Sequence, residues 1–177
     1  MTHSELLAAC IWDENDLATL TVESALVGGP VEVRLLPDLE AGRRVSERMV
    51  AVLNDFLALT AADLPAVKQL LWADCLANLE SIDYGADVQP GETELAANQR
   101  EFGLYAADDA YAQSNLRRLS IPDEPKLRHR YGAIDFEPQW ETEHGCSLIL
   151  QNGRLIATAA NNPSYRRYEA DDAAPAA

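Results

Sequence analysis

One dipeptide does most to limit what this chain can fold into. Asn152-Gly153 lies between two short segments of alternating character, Cys146 to Gln151 (CSLILQ) and Arg154 to Ala159 (RLIATA). Asn-Gly is favoured where both central residues of a two-residue turn need positive φ, so the stretch reads as a β-hairpin. So short a loop also sets the register: Gln151 is expected opposite Arg154, Leu150 opposite Leu155, Ile149 opposite Ile156 and Leu148 opposite Ala157. One face then carries Cys146, Leu148, Leu150, Leu155, Ala157 and Ala159 and has to be buried. The other carries Ser147, Ile149, Gln151, Arg154, Ile156 and Thr158, a mixed set expected to be half covered.

A lone hairpin is marginal in water, so the rest of the chain has to supply partners. Tyr131 to Glu137 alternates as a strand, with Ile134 and Phe136 on one face and Asp135 and Glu137 on the other. Leu17 to Leu36 alternates on both sides of Gly28-Gly29-Pro30, a second hairpin with Leu20 and Val22 on one face and Val31, Val33 and Leu35 on another. The period then changes. Val45, Met49, Val52, Leu53, Phe56 and Leu57 recur at helical spacing, with Arg43, Arg44, Glu47, Arg48 and Asp55 on the remaining face. Thr60 followed by Asp63 fits a capping box and Pro65 suits a first turn, so a second helix starts there, its stripe being Val67, Leu70, Leu71, Cys75, Asn78, Leu79 and Ile82. Two antiparallel helices joined by a tight turn are expected. Asp87 to Glu94 is loop by composition. Residues 95–120 read two ways: Asp108 and Asp109 can cap a helix from Ala110 towards Leu119, favoured up to Asn115, while Leu116 to Ile121 equally suits a strand cut by Pro122.

These elements predict a single α+β domain over residues 1–168. Its sheet is mostly antiparallel, built from the N-terminal hairpin and the C-terminal strand plus hairpin, and packs on two or three helices. Residues 169–177, acidic and alanine-rich, are expected to form a disordered tail.

Composition narrows the function classes. The formal charge of −15, from 29 acids against 14 Lys and Arg, repels phosphate backbones and argues against nucleic-acid binding while favouring a basic protein partner. No apolar run reaches the roughly 18 residues of a membrane span, and the start MTHSELLAACIW has no basic residue ahead of its short apolar run. A cytoplasmic protein without membrane contact is expected, and a homodimer through an edge strand is compatible with it. Three scattered cysteines, Cys10, Cys75 and Cys146, make neither a disulfide framework nor a CxxC pair and read as reduced, partly buried small hydrophobes.

The stretch that resembles a site is Trp140-Glu-Thr-Glu-His-Gly145, between Pro138, which ends one strand, and the hairpin. On folding physics alone it redirects the chain: Gly145 supplies a positive φ, Trp140 covers the end of the core, Glu143 accepts backbone or indole N–H bonds, and His144 holds the turn. The chemical alternative is a small metal-assisted hydrolase in which Glu143 and His144 act with the carboxylates Asp135 and Glu137. Neighbours on an extended chain point opposite ways, and His3 and His129 stand at no recognised metal spacing. There is no HExxH, phosphate loop or GxSxG elbow. No catalytic residue, metal ligand or cofactor is therefore assigned.

Tyr131 to Ala159, YGAIDFEPQWETEHGCSLILQNGRLIATA, resembles the C-terminal part of a group of uncharacterised bacterial domains. Their mark is a strand, W-x-x-E-H-G, an apolar strand, a D-G or N-G turn and a further strand, and the upstream order of hairpin, helices and strands is similar. This chain departs from the pattern in ending its last strand Ala-Thr-Ala-Ala, where a glycine is expected. The resemblance implies a non-catalytic protein-binding module of a bacterial cytosol, of the kind of an immunity protein that inhibits a basic toxin.

Overall fold

Seven strands form one sheet in the order in which the chain makes them, each neighbouring pair antiparallel except the third and fourth. The computed structural model describes residues 1–38 and 42–169. A short helix α1 (His3–Ala9) precedes β1 (Ile11–Trp12), β2 (Ala18–Ser24) and β3 (Gly29–Leu36). Then come α2 (Glu47–Leu57), a 3-10 turn at Ala61–Asp63, α3 (Leu64–Ser81), α4 (Glu94–Phe102) and α5 (Ala107–Ala112). The strands β4 (Ser114–Pro122), β5 (Tyr131–Pro138), β6 (Cys146–Gln151) and β7 (Arg154–Ala159) follow, and a 3-10 turn at Tyr165–Tyr168 closes the chain. The fold is α+β. The parallel pair β3 and β4 needs a long crossover to bring the chain back in the same direction, and the helices α2 to α5 provide it.

Both hairpins form. In the first, Leu20 pairs with Val33 and Val22 with Val31, so the two apolar sets expected on separate faces stand side by side on one. In the second, Asn152 and Gly153 take φ of 47° and 83°, the left-handed values the turn requires. The register departs from expectation one residue later. Leu150 faces Leu155, but Ile149 faces Ala157 and Leu148 faces Thr158, because Ile156 is bulged out of the ladder. A bulge flips everything beyond it, so Ala157 and Ala159 move to the face opposite Leu148. That face is half covered, as expected: Ser147 and Ile149 on β6 are fully buried, while Arg154 and Ile156 on β7 are exposed.

The helices also differ from the expectation. α2 and the segment Ala61–Ser81 meet at a bend of 79° rather than running antiparallel. Thr60 is extended and its capping box with Asp63 starts a new helix at a corner, which carries α3 across β6 and β7. The stripe of α3 is buried at Val67, Leu71, Cys75 and Leu79, whereas Ile82 is exposed. In the ambiguous stretch, the helix begins at Ala107 and ends at Ala112, and the strand reading wins from Ser114 onward. An earlier helix, α4, is closed by Gly103 in the left-handed conformation at φ 67°. No single helix among the described residues is long and apolar enough to cross a membrane.

The sheet is covered on one face along its length and on the other only over β5 and β6, with Thr21, Glu23 and Glu32 of β2 and β3 exposed there. One face, with Val33, Leu35, Leu119, Ile134, Phe136 and Leu148, packs on α2 and α3 through Met49, Leu53, Phe56 and Leu71. The other carries a smaller cluster of Leu127, Tyr131, Ala133, Ile149, Tyr165 and Tyr168, held down by the returning C-terminal segment. Glu169 belongs to that cover, accepting from the Arg128 and His129 backbone N–H groups and from the Tyr131 hydroxyl. The rest of the expected tail, 170–177, lies outside the described residues.

Candidate functional site

β5 and β6 run antiparallel, and alternation sends Phe136 and Cys146 to the helix face and Asp135 and Ser147 to the other. Each face receives one aspartate, and the Trp140 turn joins the two strands between them.

On the helix face, Trp140 is 2% exposed and its indole N–H donates to Asp74 Oδ2 on α3 at 3.0 Å. The Trp140 carbonyl accepts from the Tyr84 hydroxyl at 2.8 Å. The turn is tied internally by Glu141, whose Oε1 accepts from the backbone N–H groups of Glu143 and His144 at 3.1 and 2.9 Å. Gly145 sits at φ 63°, and a Cβ there would lie 2.9 Å from the Phe136 carbonyl and collide with the Asn161 side chain. Glycine is required twice over, by conformation and by space. The role expected of Glu143 thus falls to others: Asp74 takes the indole and Glu141 the turn, while the Glu143 side chain is 85% exposed. The His144 imidazole, 62% exposed, lies 3.4 Å from Glu141 and 3.9 Å from Glu143.

Asp74 is part-buried, and burial raises its pKa; the Trp140 and Cys146 hydrogen bonds oppose this and the charge of Glu141 adds to it. Burial and then the charge of Asp74 push the Cys75 thiol up to about 12, and burial pushes Cys146 up as well. Neither is a thiolate at neutral pH, so neither is a poised nucleophile.

On the opposite face, Asp135 is 4% exposed and accepts from Ser120 at 2.5 Å and Ser147 at 2.6 Å. Arg118 Nε stands 3.5 Å from the same carboxylate. Asp135 lines a cavity of about 160 Å³ with Ser120, Pro122, Glu124 and Tyr165 among others. Glu137, Glu143 and His144 do not line it: Glu137 is exposed and ion-paired with Arg117 at 3.0 Å. The four residues of the hydrolase alternative are therefore dispersed, Asp135 inward and the other three outward. Among the described residues no group of three or more His, Cys, Asp or Glu could hold a metal ion.

The domain description DUF6985, a domain of unknown function, matches residues 5–162. The chain belongs to the DUF6985 family. No curated protein matches the chain, and no solved structure does. The DUF6985 match runs from α1 through the end of β7 and so takes in the whole sheet, both aspartates and the Trp140 turn, and stops before Tyr165.

The sequence reading missed Asp74, Glu141, Ser120, Ser147 and Arg118. Asp74 alone left a trace, a carboxylate three residues after Leu71 and four before Asn78, within the apolar stripe of α3. The charge of the chain is unevenly placed. Residues 1–109 hold 20 of the 29 acids and 6 of the 14 bases, whereas 110–169 hold 7 acids and 8 bases. The imbalance is sharpest over residues 80–109, from the end of α3 through α4 into α5, with 8 acids and Arg100 as the one base. Arg100 is taken by Glu92 at 3.1 Å. Amid these acids stand three exposed apolar side chains, Ile82, Val88 and Tyr105, the last 63% exposed.

Proposed function

We propose that this chain is a non-catalytic protein-binding module whose acidic helical side, residues 80–109, receives a basic protein. One observation carries the reading: Tyr105, Val88 and Ile82 are solvent-exposed within a stretch of chain where acids outnumber bases eight to one. An aromatic anchor ringed by charge of one sign suits a partner of the opposite sign, since the charge speeds encounter and selects the partner while the apolar groups slow its release. Burial beneath this surface makes it a rigid platform: Leu104 and Ala97 are fully buried and Tyr84 packs edge-on against Phe102 at 5.0 Å between centroids. The partner that fits best is a basic toxin of a bacterial cytosol, with this chain as its immunity-type inhibitor; the resemblance around the Trp140 turn supports that finer identity.

The test is capture of partners on the full chain in the cell it comes from, followed by cross-link mapping. A basic protein retained at low salt, cross-linked to residues 80–109, and lost from a Glu94→Lys/Glu101→Lys/Tyr105→Ala variant is expected. If its activity is a toxin's, adding this chain should abolish it. Cross-links confined to other surfaces, or retention undiminished in the triple variant, would sink the reading.

A further inference from the structure

The cavity beside Asp135 lies on the sheet face away from α2 and α3, at the point where the parallel strands β3 and β4 end together with Leu36 opposite Pro122. The returning segment closes it with Pro163 and Tyr165. Its volume of about 160 Å³ is room for roughly five water-sized groups, enough for a small polar head and part of its stem.

Its polar wall asks for a particular occupant. Asp135 uses three acceptor positions on Ser120, Ser147 and Arg118, which leaves a carboxylate room for a fourth donor. The Glu124 carboxylate and the Tyr165 hydroxyl have no hydrogen-bond partner among the described residues, although Tyr165 is only 7% exposed. The ring is buried while the hydroxyl stays accessible where it lines the cavity, so its partner is water or an occupant of the cavity. Burial pushes the Tyr165 pKa up and the charges of Asp135 and Glu124 push it further, so the group stays a neutral hydroxyl with its oxygen able to accept. Arg118 already faces Asp135, so the uncompensated charge at the cavity is that of Glu124; with the free lone pair of Asp135, the phenol oxygen and the proline and leucine walls it calls for several donors on one positive centre joined to an aliphatic stem. Among the described residues no group of three or more His, Cys, Asp or Glu that could hold a metal ion lies here.

We propose that this cavity binds a guanidinium or primary ammonium group, its charge answered by Glu124, its N–H groups donating to the remaining lone pair of Asp135 and to the Tyr165 hydroxyl oxygen, and its stem lying between Pro122 and Pro163. This site is independent of the acidic helical surface. The same chemistry has two sources, a free small amine or an arginine side chain displayed by a protein, and the probes separate them.

The experiment is calorimetric titration of the full chain at physiological salt with agmatine and, separately, with the peptide acetyl-Gly-Arg-Gly-amide. Because a chain of charge −15 attracts any cation loosely, specificity is read from variants. Glu124→Gln and Tyr165→Phe each keep the shape of the wall and should weaken binding about tenfold or more, the scale of one lost charge-assisted hydrogen bond. Glu101→Gln, on the acidic helical side, should leave it unchanged. Saturable 1:1 binding of agmatine alone identifies a free ligand, and of the peptide alone or of both a displayed side chain. If neither probe saturates, or if Glu124→Gln binds as the unaltered chain does, the proposal is overturned; should Tyr165→Phe misfold by circular dichroism, Glu124→Gln decides.

Discussion

Asp74 and Asp135 reach the same strand from opposite sides, one toward Cys146 and the other bonded to Ser147, and they are held by opposite means. Asp135 has a guanidinium within 3.5 Å and two hydroxyl donors. Asp74 has an indole N–H, the Asn78 amide and the Cys146 thiol, all uncharged, and a further acid, Glu141, nearby. Hydrogen bonds alone do not offset the cost of taking a carboxylate from water, whereas an opposite charge with satisfied lone pairs goes much further. The pair therefore teaches that the Asp135 cluster holds its face together through charge, while the Asp74 cluster holds its face through the bulk of Trp140 and accepts an electrostatic penalty.

Removing the bulk gives the largest expected effect. Trp140→Ala should cost about 4 kcal/mol in denaturant unfolding, as a fully buried tryptophan leaves a void and strips Asp74 of its strongest donor. Trp140→Phe, which keeps most of the volume and loses the N–H, should cost clearly less; equal costs would mean that the hydrogen bond, and not the packing, holds the helix face. Next comes Asp135→Ala, which leaves Arg118 part-buried without its counter-charge and should cost about 3 kcal/mol, or a fall in Tm of roughly 6–12 °C for a chain of this size. A loss below about 1 kcal/mol would place Asp135 among surface ion pairs and dissolve the contrast with Asp74.

Gly145→Ala ranks third, at about 2 kcal/mol from left-handed strain and crowding. Its Cβ meets Asn161, whose Oδ1 lies 2.9 Å from the Ser147 hydroxyl, and the Phe136 carbonyl. The damage should fall on the Asp135 side, so that Gly145→Ala combined with Asp135→Ala costs less than the two separately; strict additivity would show the two faces to be uncoupled at the turn.

What could be read from the chain alone follows the same divide between local and distant physics. The Asn152-Gly153 turn, the Thr60–Asp63 capping box and the amphipathic period of α2 are decided within a few residues, and they form where expected. The bulge at Ile156 leaves no mark in the alternation of Arg154 to Ala159, so the register beyond Leu155 was not legible. The corner between α2 and α3 depends on what α3 lies across, and the spacing of its stripe says nothing of that. At the site, Trp140 and Gly145 were legible because an aromatic and a glycine after a strand-ending proline carry their own geometry. Asp74 was not, being 66 residues from its indole partner, and nor were Ser120 and Ser147, whose hydroxyls acquire meaning only when β4, β5 and β6 align.

The smallest and most discriminating effect is that of Asp74→Asn. Burial raises the pKa of Asp74 in the folded chain, so the folded state prefers this group protonated. Below the ordinary carboxyl value of about 4, the group is neutral in both states and carries no penalty. As pH rises from there through the raised folded value, the unfolded chain ionises first and stability falls; above the folded value the penalty is constant. Asparagine keeps an oxygen for the indole and the thiol and has no charge to bury. Asp74→Asn should therefore raise Tm at pH 7, and the gain should shrink as the pH is lowered toward 4, in thermal unfolding followed across that range. The matching variant Asp135→Asn should lower Tm at pH 7, because it removes the counter-charge of Arg118. If both asparagine variants shift stability in the same direction at pH 7, the two aspartates are held alike and the charge-against-bulk distinction between the faces of β6 fails.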